Sequence, residues 1–255
     1  DFTWLDEIMD KMAENGITAI LATPSAARPA WMSEKYPEVL RVNARREKML
    51  HGGRHNHCMS SKVYRRKVQQ INTLLAERYK DHPALGAWHI SNELSGECHC
   101  PACQENFRKW LKEKYGTLDK LNQVWERTYS EWSQVGIEKW NWMSIMPQAD
   151  YAAFRKAAIA RFIKPWVDAV RQVDDQHPIM ADNIHSMLSP KSDYPRPQDD
   201  FDLKNVVDDI GMSFYPKQNN GTMEPALQAC LTDMTAGTVE GMETGQEYKA
   251  FPVNN

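Results

Sequence analysis

The chain has 255 residues, 42% of them hydrophobic and 25% charged, with a formal net charge of −3. That length suffices for one large α/β domain with a sizeable core. The weak negative charge argues against a nucleic-acid partner, and no apolar run approaches the roughly 18 residues of a membrane span. No signal peptide is visible, which predicts a cytoplasmic protein, and a start at Asp1 rather than Met reads as a truncated N-terminus.

Residues Phe2 to Asn15 have helical periodicity, with Trp4, Leu5, Ile8, Met9 and Met12 on one face and Gly16 as the stop. Ile17 to Thr23 reads as a buried strand and Pro24 to Pro29 as a loop leading to Trp31. Residues 41–57 are polar and rich in Arg and His, the composition of a long functional loop. Lys62 to Tyr79 predicts a helix with an apolar stripe of Val63, Val68, Ile71, Leu74, Leu75 and Tyr79. Ala84 to Glu93 reads as a short apolar strand ending in Asn92-Glu93.

Two helices follow, Gln104 to Tyr115 and Leu118 to Trp125, then a Trp-rich irregular stretch from Tyr129 to Pro147. Tyr151 to Val173 predicts a long helix with Phe154, Ile159, Phe162 and Val167 in the core. Ile179 to Asn183 and Ile210 to Tyr215 are the last two expected strands. Helices alternating with four short buried strands predict parallel strands joined by crossovers. Four strands cannot close an eight-stranded barrel, so the pattern implies part of one. The tail from Ala236 to Asn255 is Gly- and Thr-rich and reads as neither strand nor helix.

Glu93 stands at the expected C-terminal end of a buried strand, where barrel enzymes place catalytic groups. A glycoside hydrolase needs one protonated carboxyl for the leaving oxygen and, if it retains configuration, a second carboxylate about 5–5.5 Å away. Asn92 could hydrogen-bond a sugar hydroxyl beside the scissile bond. The alternative is that Asn-Glu merely caps the next segment. Nine Trp and nine Tyr suit a carbohydrate site, since rings stack on sugar C–H faces, although most such rings fill cores.

Cys98, Cys100 and Cys103 lie within six residues, closer than a disulfide framework needs. Zinc takes four tetrahedral ligands, and Cys58 in Arg54-His55-Asn56-His57-Cys58 is the candidate for the fourth. Four thiolates leave no open position, so such a zinc is structural. His55, His57 or His99 could replace one Cys. Cys230 stands alone and reads as a small buried residue. Arg28 and Arg54 could contact sugar hydroxyls or pair with a catalytic carboxylate, or be solvated surface groups. Tyr215 ends the last strand and could orient a carboxylate or a sugar, or pack at the barrel mouth. No phosphate-binding loop, no G-x-S-x-G elbow and no H-E-x-x-H occurs, and no organic cofactor is expected.

Several segments together resemble glycoside hydrolase family 42 β-galactosidases. They are Ile17–Thr23 with Pro24-Ser25-Ala26-Ala27-Arg28-Pro29-Ala30-Trp31, then Lys35-Tyr36-Pro37-Glu38, Arg54-His55 with Cys58, and Trp88-His89-Ile90-Ser91-Asn92-Glu93. The run from Phe107 to Leu118 and Ser213-Phe214-Tyr215-Pro216 belong to the same set. The resemblance implies an α/β fold, a (β/α)8 TIM-barrel catalytic domain that is incomplete here. Residues 1–235 would supply about strands 3 to 6 with their helices, and 236–255 the seventh-strand region.

It implies retaining hydrolysis of terminal β-D-galactosides, with Glu93 as acid/base and Asn92, Arg54 and Tyr215 contacting substrate. It places a structural zinc on Cys58, Cys98, Cys100 and Cys103, and assembly as a trimer. The family's nucleophile follows an apolar run on the seventh strand. Only Gly241-Met242-Glu243-Thr244 offers a counterpart, so Glu243 is the candidate, without the apolar run before it. The alternatives are another retaining β-glycosidase or an α-L-arabinosidase of the same clan, or a non-catalytic carbohydrate-binding barrel fragment.

Overall fold

A computed structural model describes residues 1–52, 54–94, 97–138, 145–183, 200–213, 225–240 and 252–253. Its sheet has five strands: β1 (Ala19–Ala22), β2 (Leu85–His89), β3 (Ile179–Asn183), β4 (Asp209–Ser213) and β5 (Pro252–Val253). They lie in sequence order, and every neighbouring pair is parallel. The helices are α1 (Thr3–Glu14), α2 (Ala30–Lys35), α3 (Lys62–Tyr79), α4 (Pro101–Tyr115), α5 (Leu118–Trp125), α6 (Ile145–Arg171), α7 (Asp200–Leu203) and α8 (Pro225–Glu240). Parallel strands in sequence order, with helices between them, are an arc of a (β/α)8 barrel.

Local chemistry explains the helix ends. The Ser61 side chain caps α3 by accepting from the Tyr64 amide, and Thr117 caps α5 by accepting from Lys120. Gly116, with φ of 73°, ends α4 in the left-handed region that glycine occupies without a Cβ penalty. The expected bounds of α3, α5 and β3 match the structure. α4 begins three residues earlier than expected, because Cys100 caps it and Pro101 suits its first turn. α6 begins at Ile145 rather than Tyr151, and α8 runs through residues 236–240, which the sequence reading left without structure. β5 pairs with β4 in that same tail.

Two cores share α6. The main one joins the sheet to α1, α3 and α6 through Met9, Val68, Trp88, Phe162, Trp166 and Ile210. The second holds Cys58, Cys100, Cys103, Phe107, Trp125 and Tyr151. Asp150, 1% exposed, ties that second core together. It accepts hydrogen bonds from Lys114, Tyr115 (2.6 Å) and the Trp125 indole (2.7 Å).

Three burial expectations are corrected. On α1 only Met9 is fully buried, while Trp4 (62%) and Ile8 (47%) are exposed. β1 alternates buried and exposed: Ala19 and Leu21 join the main core, whereas Ile20 points to the opposite face of the sheet and is 44% exposed. Cys230, read as buried, is exposed on α8.

Candidate active site

β2 ends at His89, three residues short of Asn92, so Asn92-Glu93 stand on the turn beyond the strand and not in it. That turn is forced by backbone geometry. Ser91 has φ of 62° and Glu93 φ of 44°, both in the left-handed region that costs non-glycine residues of order 1–3 kcal/mol. Such strain persists only where neighbours over-determine the conformation. Here the Glu93 amide donates to Asp182 Oδ1 at 3.0 Å. The His89 ring contacts the same oxygen at 3.0 Å, and Ser213 donates to Oδ2 at 2.5 Å. With its amide oriented to satisfy both neighbours, Asn92 donates to Asp182 Oδ2 at 3.3 Å and accepts from Arg54 Nη1 at 3.0 Å. Asp182 is 1% exposed. Burial pushes its carboxyl up, but the hydrogen bonds from His89, Ser213 and the Glu93 amide outweigh that and hold it below the usual carboxylate range.

Arg54, half exposed, pairs through Nη2 with Oε2 of Glu93, which is 3% exposed. The expected pairing of an Arg with the carboxylate therefore falls on Arg54. Arg28 does something else. It is 5% exposed and binds Ser33 at 2.7 Å and the Asn56 side-chain oxygen, so it braces the loop and is not a solvated surface group. Beside Arg54, His55 is buried, and burial first, then Arg54 and Arg41, lower its pKa to about 4. The His57 ring stacks on Tyr64 with centroids 4.0 Å apart. Tyr215 and Glu243 lie outside the described residues.

The same stretch of chain leads from the Glu93 turn into the cysteines. The sulfurs of Cys58, Cys98, Cys100 and Cys103 all lie within 4.8 Å of one another. Cys58 Sγ is 3.4 Å from Cys100 Sγ and 3.6 Å from Cys103 Sγ. A disulfide would need about 2.05 Å, whereas thiolates about 2.3 Å from a tetrahedral ion stand about 3.8 Å apart. The donor set therefore fits a metal. Backbone amides add to it: Val42 donates to Cys98 Sγ and Cys103 to Cys100 Sγ, each at 3.4 Å. Bonds from Cys103 and Cys58 push the Cys100 thiol down, while its neighbours' sulfurs push Cys58 up. Crowded thiols of this kind ionise together only against a cation. His55, His57 and His99 are not members of the cluster.

Sequence reasoning overlooked Asp182, His89 and Ser213. The signal was a carboxylate closing the otherwise apolar run Ile179-Met180-Ala181, since a charge at the end of a buried strand needs a reason.

No helix among the described residues is long and apolar enough to cross a membrane. The family model of glycoside hydrolase family 42, described as beta-galactosidase, matches residues 1–249. Beta-galactosidase BglY of Alicyclobacillus acidocaldarius is 42% identical over 230 residues, which are 85% of this chain and 31% of that protein. The crystal structure of a cold-adapted β-galactosidase from Rahnella sp. R3 superposes with a TM-score of 0.86 at 37% identity, covering 100% of this chain and 37% of that one. A catalytic mutant of Gan42B, a GH42 β-galactosidase from G. stearothermophilus, gives 0.84 at 40% identity, covering 93% and 36%. The chain thus spans about a third of the length of these relatives. With a matching family model over nearly its whole length and an incomplete TIM barrel as its fold, the chain belongs to glycoside hydrolase family 42.

Proposed function

We propose that this chain carries the acid/base half of a retaining exo-β-galactosidase, with Glu93 as the acid/base. The observation that carries the reading is the pairing of a buried Glu93 with a half-exposed Arg54 just beyond the C-terminal end of β2. That is where barrel enzymes put their chemistry. In the first step the protonated Glu93 carboxyl gives its proton to the glycosidic oxygen as the C1–O bond breaks and a second carboxylate bonds to C1. In the second, Glu93 takes a proton from water, the water oxygen bonds to C1, and the second carboxylate leaves. Arg54 and Asn92 bind and orient sugar hydroxyls, and Tyr215, two residues beyond β4 in the chain, is the further substrate contact that the family resemblance implies. Glu243 comes before β5 in the chain, whereas barrel catalytic groups follow the C-terminal ends of strands. The reading therefore assigns the nucleophile to no described residue.

The four-cysteine cluster would hold a zinc ion that braces the loops flanking Glu93 and takes no part in the reaction. Cysteines held by a metal and not joined in disulfides suit a reducing, cytoplasmic setting. The family resemblance extends to assembly as a trimer, which analytical ultracentrifugation checks.

Hydrolysis of p-nitrophenyl β-D-galactoside by the wild type and by Glu93→Gln tests the assignment. A fall of about a hundredfold or more in the variant is expected. Unchanged activity in Glu93→Gln would end the acid/base role. Preference for the matching β-glucoside or α-L-arabinoside would move the substrate within the same clan.

A further inference from the structure

The structure assigns Asp182 as the positioning residue of the Asn92-Glu93 corner. Its carboxylate sits at the end of β3 and gathers groups from β2, from the turn beyond it and from β4. The assignment rests on the reading of Glu93 as the acid/base, and it deepens that reading.

Three observations carry it. First, Glu93 holds φ of 44° with no glycine to make that conformation easy. The bond from its amide to Asp182 Oδ1 is the contact that fixes this backbone, because an amide pointing elsewhere would swing the side chain away from Arg54. Second, the same carboxylate orients Asn92. An amide that donates one N–H to Asp182 and accepts from Arg54 leaves its second N–H for a ligand hydroxyl. Third, Asp182 is itself held on both oxygens. His89 and the Glu93 amide share Oδ1, while Ser213 and Asn92 share Oδ2. At 1% exposure it meets no bulk water, so its geometry is set by protein groups. Asp182 touches no reacting atom in this scheme. It sets the direction of two groups that do.

A Glu93 misplaced by about 1 Å costs on the order of a hundredfold in rate. Asp182→Asn keeps the shape but turns one acceptor oxygen into a donor facing other donors. We expect kcat on p-nitrophenyl β-D-galactoside to fall about a hundredfold with KM within about threefold of wild type. Ser213→Ala removes a single one of these bonds and should cost less than about fivefold.

An independent readout is amide exchange followed by 15N NMR. In Asp182→Asn the Glu93 amide should exchange at least about tenfold faster, while the Ile90 amide, bonded to Met180 O at 2.8 Å, stays within about twofold. The wild type alone supplies a third measurement, the scalar coupling across the hydrogen bond between Glu93 15N and Asp182 13Cγ, which decides the contact even if the variant does not fold. A missing coupling, or an unchanged Glu93 amide in a folded variant, overturns the inference. So does a released Glu93 amide with wild-type kcat. A wild type that neither hydrolyses the galactoside nor binds galactose overturns the galactosidase reading instead, and the coupling then still judges whether Asp182 holds the corner.

Discussion

Arg54 and Glu93 form an ion pair across a boundary of exposure: the guanidinium is 50% exposed and the carboxylate 3%. A fully surface pair would be worth little, and a fully buried pair would carry a heavy desolvation cost. This one leaves the guanidinium open to a ligand while the carboxylate stays out of water. Replacing Arg54 by Lys keeps the charge but loses the fork that reaches Glu93 through Nη2 and Asn92 through Nη1. Arg54→Lys should lower kcat/KM on a chromogenic β-galactoside about 10–100-fold, while urea unfolding shifts by less than about 1 kcal/mol, the range of half-exposed pairs. Wild-type kinetics in Arg54→Lys would remove the residue from the site.

The cysteine cluster makes a separate expectation. Protein purified without chelator should contain about one zinc per chain by mass spectrometry of the metal. Cobalt exchanged into the site should show the sulfur-to-metal charge-transfer band of a four-thiolate tetrahedron. Zinc free at about a hundred times its Kd adds about 2.7 kcal/mol to stability, so chelation should lower the thermal midpoint by a readily measured amount. Cys103→Ser should lose metal and reproduce the chelated midpoint. Zinc content near zero in freshly purified protein would refute a metal role.

The strands and long helices were legible because their periodicity is strong. α3 and α5 carry both a helical apolar stripe and a Ser or Thr cap, and their bounds match. The cysteine cluster was legible from spacing, with Cys58 as its expected fourth member, and the structure brings Cys58 Sγ to 3.4 Å from Cys100 Sγ. Burial was less legible. Trp4, Ile8 and Ile20 have the pattern of core residues, yet sequence patterning says which face is apolar and not what lies against it. The role of Asp182 was illegible for a different reason: its position at the end of an apolar run was a signal, but its partners, Ser213 on β4 and the Glu93 amide, lie far away in the chain, and only the parallel register brings them together.

The pairing of β1 with β2 makes Gly86 a sensitive position. A Cβ at Gly86 would stand 2.2 Å from Thr18 Cγ2, just before β1. The clash can be relieved only by moving Thr18 or parting β1 from β2. Gly86→Ala should cost about 1–3 kcal/mol by urea unfolding. Thr18→Ser removes that methyl and, at an exposed site, should be neutral within about 0.5 kcal/mol. The double variant should recover about 1 kcal/mol or more of the loss. Additive effects would show that the two positions do not meet.

His55 sets a pH window for stability. Burial, then Arg54 and Arg41, lower its pKa to about 4 from 6.5. Above pH 6.5 the imidazole is neutral in both folded and unfolded chains, and stability is at its full value. Between pH 6.5 and 4 the unfolded chain binds a proton that the folded chain refuses, so stability falls as pH falls. Below pH 4 both states are charged and this slope disappears. His57, buried against Tyr64 and lowered in the same direction by burial, adds to the decline. The Asp6 carboxyl, near 2 because Arg78 and Tyr79 bond to it, acts only below its ordinary value of 3.8, so its window lies lower. His55→Asn keeps a residue type that tolerates φ of 55° and removes one titrating group. Its unfolding free energy should fall less steeply than wild type between pH 6.5 and 4, with the His57 slope remaining. Parallel curves for the two proteins across that window would show that His55 titrates normally in the folded chain.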